Sequence, residues 1–127
     1  MVIRIRGSRS RGELYWNRLA DNLLTLNQEQ ILEQWGQDEA ADAVELRDAI
    51  LAANNGYGAL ILTEAAAQVL AGKAYYWLDY YQDAGHDYNS SAKAEARNRA
   101  GLCQRILAEL KSQGVVYVEA RAAVVWS

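Results

Sequence analysis

A chain of 127 residues, 51% of them hydrophobic, suits one domain with a real core and argues against disorder. A single Cys excludes an internal disulfide, and no apolar run approaches the roughly 20 residues that span a bilayer. The net charge of −3 hides an asymmetry: +4 over residues 1–20, −10 over 21–87 and +3 over 88–127.

Val2 to Arg6 alternates apolar residues with Arg, the pattern of a short half-buried strand. Ser10 and Glu13 have capping-box spacing and predict a helix to about Leu26, with Tyr15, Trp16, Leu19, Leu23 and Leu26 inward. Asn27 and Gln30 repeat that spacing and predict a short helix to Trp35, with Ile31, Leu32 and Trp35 buried and Gly36 as its stop. One helix bent at Asn27 is the alternative. Asp38 is placed to cap a third helix, to about Ala53. Its apolar face would be Ala40, Ala43, Val44, Ile50 and Leu51, with the acidic side chains opposite.

Asn54 to Gly58 is the clearest turn in the chain. Ala59 to Leu62 reads as a buried strand or an extended lead-in, and Thr63 caps the helix that follows. That helix, Glu64 to about Ala84, organises the chain. Five of the ten residues from Lys73 to Gln82 are aromatic, in a sequence with 4 Trp, 8 Tyr and no Phe. Ala66, Val69, Leu70, Lys73, Trp77, Tyr80, Tyr81 and Ala84 form one stripe at helical spacing, as a central helix requires. After a polar loop, Ser90 or Ser91 caps a last helix that presents Ala96, Ala100, Cys103, Ile106, Leu107 and Leu110 and stops near Gly114. Val115 to Trp126 alternates as a long strand. The expected architecture is helix-rich α+β in a single domain, 1–127: four or five helices on a small sheet holding both terminal strands. A sheet so small leaves open edges, so a homodimer is expected.

Four groups of residues bear on function. Arg4, Arg6, Arg9 and Arg11, with Arg18 beyond, offer planar forks for phosphates or carboxylates. Asp79, Asp83, His86 and Asp87 cluster near a helix end, but the lone His has no partner at metal-ligand spacing, so no metal and no cofactor are expected. Cys103 falls on an apolar face, where a thiol behaves as a small hydrophobe. Glu119 and Arg121 share one face of the last strand.

No phosphate loop, nucleophile elbow or paired-Cys pattern is present in the sequence, which leans against an enzyme. The leading expectation is a cytoplasmic protein-binding module, an adaptor or inhibitor that acts by occupying a partner's surface. By analogy, compact chains of this kind are common among phage and mobile-element products that block host machinery. Its binding residues would be Arg4, Arg6, Arg9 and Arg11 on a basic side, Asp38 and Asp42 on an acidic side, and Tyr76 and Tyr80 on the aromatic helix. The alternative is a nucleic-acid-binding protein that uses the terminal arginines together with Arg97 and Arg99. A small nucleotide-binding protein or enzyme comes third.

Overall fold

The structure is a computed structural model that describes residues 2–7, 16–53, 58–84 and 90–116, with the backbone alone at 83–84 and 90–92. Within these residues the fold is helix-rich α+β, in the order β1 (Val2–Ile5), α1 (Trp16–Leu19), α2 (Asp21–Leu24), α3 (Gln28–Ala52), β2 (Leu60–Thr63), α4 (Glu64–Ala84) and α5 (Ser90–Ser112). Among them, no helix is long and apolar enough to cross a membrane.

Among the described residues the sheet is a single antiparallel pair, with Ile3 opposite Leu62 and Ile5 opposite Leu60. Those four side chains are buried, and the intervening Val2, Arg4 and Ile61 face out. Each buried aliphatic contributes about 1.5–3 kcal/mol. The far edge of β1 is closed by side chains from α5 and the turn after it. Arg4 N–H donates to Gln113 Oε1 at 2.8 Å, and Gln113 Nε2 donates back to Arg4 O at 2.5 Å. Arg6 N–H donates to Glu109 Oε1 at 3.0 Å. Side chains thus satisfy an edge that would otherwise invite another strand. Of the predicted last strand, Val115 and Val116 are described and are not in a strand, Val115 closing the end of α5 instead; the remainder, with Glu119 and Arg121, lies outside the described residues.

The caps read at Asn27 and Thr63 form as spaced, whereas Asp38, expected to cap a helix, lies inside α3 just after its break at Gly36. Gln30 N–H donates to Asn27 Oδ1 and Asn27 N–H to Gln30 Oε1, both at 2.9 Å. The helix therefore starts afresh at Asn27. Gly36, at φ 75°, ψ 173°, breaks α3 into two helical pieces, a left-handed φ that a side chain would strain. Thr63 Oγ1 accepts from Ala66 N–H at 3.3 Å and caps α4. Glu45 of α3 braces the same junction, taking Thr63 N–H and Thr63 Oγ1–H at 2.9 Å each. Gly114, at φ 88°, ends α5; its N–H reaches Lys111 O and Val115 N–H reaches Leu110 O, with Val115 buried as the hydrophobic closure.

Several expectations need correction. From Trp16, where the described residues resume, the helix predicted up to Leu26 is two short pieces that break at Ala20, where φ is −109° and ψ is 13°. Both close with i→i−3 bonds, Ala20 N to Asn17 O and Thr25 N to Asn22 O, the tighter geometry of short helical pieces. The cap at Ser10 and Glu13 lies outside the described residues. Leu32 and Leu51 face solvent; Leu46, absent from the expected face of α3, is fully buried. After the Gly36 break the inward stripe of α3 runs through Ala40, Ala43, Leu46 and Ile50, which puts Leu46 inside and Leu51 at its edge.

α4 is central, packing on α5, α3, α1 and both strands. Ala66, Ala67, Val69, Leu70, Ala71, Lys73 and Ala74 are buried, while Trp77 and Leu78 lie half-buried against the core. Tyr80, expected inward, is 46% exposed. The small residues of α4 fit between neighbours; the ring at position 80 lies past the end of that crowded stretch.

Gly58 tests the closure between α3 and β2. Its N–H donates to Ala53 O at 2.7 Å, and a Cβ there would lie 2.8 Å from that same carbonyl. Gly58→Ala should lower stability by about 1–3 kcal/mol, since backbone has to move to admit the methyl. Urea unfolding measures this, and a midpoint equal to the parent's would show that the turn has room.

Candidate functional site

Beyond the Ala-rich half of α4, where Trp77 and Tyr81 take over, a cleft of about 620 Å³ opens toward α1, α2 and α5. It is of the size that holds a small ligand or a short peptide. Leu19, Leu102, Trp77 and Tyr81 form its apolar wall. Arg18, Arg99 and Arg105 bring three guanidinium groups, against the carboxylates of Asp21 and Glu95. Asn22 and Asn98 add amides that both donate and accept.

Helical spacing builds the α5 wall, because Glu95, Asn98, Arg99, Leu102 and Arg105 recur at three and four residues along one side of α5. The α4 wall is a stack. The Trp77 and Tyr81 rings lie 5.5 Å apart at 24°, and the Arg99 guanidinium lies 5.6 Å from the Tyr81 centroid. Arg99 Nη1 donates to Tyr81 Oη at 3.1 Å, and Arg99 Nη2 to Glu95 Oε1 at 2.5 Å. The bond to Tyr81, and then the pull of Glu95, raise the Arg99 pKa above its usual value, so the group is a fixed cation. Tyr76 and Tyr80 meet Trp77 edge-on at 5.3 and 5.4 Å and carry the aromatic surface out of the cleft to solvent.

Lys73 lies one helical turn before Trp77 and is 1% exposed. Burial lowers its pKa to about 8, against the attraction of Asp21, a residue of the cleft rim. At neutral pH the lysine is therefore an ammonium held in the core behind the cleft.

The residues singled out in the sequence scatter over the molecule. Arg4 and Arg6 are exposed at β1, tied to the C-terminal end of α5 through their backbone. Asp38 and Asp42 lie on α3, exposed and half-buried respectively. Arg9, Arg11, His86, Asp87 and the Asp83 side chain lie outside the described residues. Asp79 is exposed, and no metal-holding group of His, Cys, Asp and Glu exists among the described residues. Arg97 is exposed on α5. Cys103 is fully buried, and burial pushes its thiol pKa up to about 12, so it packs as a hydrophobe. The cleft gathers Arg18, Arg99, Trp77 and Tyr81, each already notable in the sequence, with Asp21, Glu95, Asn98 and Arg105, which were missed. The i,i+4 spacing of Glu95 and Arg99 was the available signal.

Lys73 sets a pH dependence whose sign follows from its lowered pKa. Between about pH 8 and pH 10.5 the unfolded chain keeps a proton that the folded protein has released. Stability should therefore rise with pH across that window, by about 3 kcal/mol relative to Lys73→Met, in which the term is absent. Urea midpoints of the two proteins at intervals from pH 7 to pH 10.5 measure it; parallel curves would refute a buried ammonium. Cys103 should resist alkylation at pH 8 in the native protein and react once urea unfolds it, which mass spectrometry reads directly.

Comparison of the chain with protein-family models, curated proteins and solved structures finds no match in any of the three.

Proposed function

We propose that the protein is a binding module of the adaptor or inhibitor kind, and that it docks on a partner protein through the cleft walled by α4 and α5. The observation that carries this reading is the lining: the fixed Arg99 guanidinium, with Arg18 and Arg105 nearby, beside a Trp77–Tyr81 stack that is continuous with exposed Tyr76 and Tyr80. Trp, Tyr and Arg are the residues in which binding energy concentrates at protein interfaces, because each combines large buried area with a directional polar group. The proposal has the protein working in the cytoplasm, which suits a single buried thiol outside any disulfide.

A second reading, binding of single-stranded nucleic acid, is favoured by one feature, the guanidinium set against an aromatic ring. The mixed charge of the lining weighs against it, since Asp21 and Glu95 would repel successive phosphates.

Capture from the native host's lysate separates the two. The parent chain should retain a stoichiometric protein partner that Arg99→Glu combined with Arg105→Glu binds at least tenfold more weakly. Circular dichroism should show the variant folded, with a melting point lowered by the loss of the Arg99 contacts to Tyr81 and Glu95 but the transition still cooperative. Equal retention of the partner by the variant would refute the cleft as the docking surface. Nuclease-sensitive material whose binding falls steeply with salt would favour nucleic acid instead.

A further inference from the structure

The cleft already holds an anion, and the anion belongs to the chain. Glu95 is one turn from Arg99 on α5 and its carboxylate occupies one arm of the Arg99 fork. Its side chain is 64% exposed, against 35% for Arg99. The other arm of the fork is held by Tyr81, from a different helix. The two contacts differ in kind. The phenol is part of the Trp77 stack and cannot leave without disturbing the α4 wall. The carboxylate is tethered only by its own flexible side chain, and exposed pairs of this spacing are weak and easily exchanged.

We propose that Glu95 is a place-holder for a carboxylate of the partner: an acidic peptide segment enters the cleft, its carboxylate replaces Glu95 on Arg99 Nη2, and the Arg99–Tyr81 bond stays in place. This deepens the reading of the cleft as a protein-docking site and rests on it. The rest of the lining argues for a peptide. Three guanidinium groups against two carboxylates leave one net positive charge, which becomes more positive toward a ligand once Glu95 swings out to solvent. Asn22 and Asn98 match the alternating donors and acceptors of a peptide backbone, and Leu19, Leu102 and Trp77 give an apolar side chain somewhere to rest. In the free protein, Glu95 keeps the Arg99 fork oriented and partly neutralised, so the site is preorganised without presenting a bare cation.

The test uses the full chain and a defined probe, an acetylated and amidated pentapeptide of alternating Glu and Leu, with a Gln-for-Glu peptide as control. Binding is read from Trp77 indole and Arg99 side-chain NMR signals. The Glu peptide should shift both signals and the Gln peptide neither. Glu95→Gln should tighten the Glu peptide about two- to five-fold by removing the internal competitor. Arg99→Gln should weaken it tenfold or more, and Arg99→Lys should recover part of that loss, because charge returns without the planar fork. Tyr81→Phe should weaken it less than Arg99→Gln, since it only loosens the fork. If Glu95→Gln leaves binding unchanged or weakens it while Arg99→Gln abolishes it, the place-holder role is wrong and Glu95 is part of the contact surface. If neither the parent nor Glu95→Gln binds the peptide while the captured partner still depends on Arg99 and Arg105, the acidic-peptide assignment falls and the docking reading stands. If the partner too is indifferent to those residues, both fall. Stronger binding of an oligothymidylate than of the Glu peptide, at the same signals, would also overturn the assignment.

Discussion

The structure depends on close contact between α4 and α5. Ala66, Ala67, Ala71 and Ala74 are buried on α4; Ala96, Ala100 and Cys103 are buried on α5. Side chains this small let two helices come together at the short end of the usual 8–10 Å axis separation. The arrangement suits the alanine-rich composition, since Ala combines high helix propensity with little bulk. The same constraint shapes the cleft. Among the described side chains of α4, Trp77 and Tyr81 line it, beyond the buried alanines that end at Ala74. Bulk replaces Ala at that point, and rings that cannot be wholly covered become walls. The site is a by-product of where the small residues stop.

Lys73 sits at that boundary. An ammonium in the core is costly to desolvate, and burial accordingly lowers the Lys73 pKa. Asp21 offsets part of it, and Asp21 is also on the cleft rim. The charge state of the interior and the charge pattern of the cleft are thus coupled through one carboxylate. A ligand that brings its own negative charge near Asp21 also acts on Lys73, in the direction that favours the ammonium.

Local pattern carried the sequence reading a long way. Asn27, Thr63, Gly36 and Gly114 mark helix ends, because caps and stops are decided within a few residues. Ile3 and Ile5 identify β1 by alternation, and the stripe from Ala66 to Trp77 identifies the inner face of α4. Periodicity is ambiguous at the margin of a stripe, where helical spacing admits either neighbour: in α3 Leu46 is turned inward and Leu51 is left in water. It fails where a partner comes from far along the chain. Glu45 on Thr63 and Gln113 on Arg4 are contacts between elements, and no spacing rule encodes them. The cleft is of that second kind. Its residues come from α1, α2, α4 and α5, so each side chain was visible in the sequence, but their meeting was not.

The pairing of Gln113 with the backbone of Arg4 has a consequence for the order in which the molecule comes together. It joins residues 109 apart in sequence, whereas α4 and α5 are separated by a short connection. Closing the longer loop costs more entropy, and part of that cost is recovered when the end of α5 already exists to receive the strand. Loop length alone thus favours the α4–α5 pair forming early and β1 joining later. Once there, β1 is held on one edge by β2 and on the other by side chains of Glu109 and Gln113. The first strand of the chain is thus the clasp of the fold rather than its foundation.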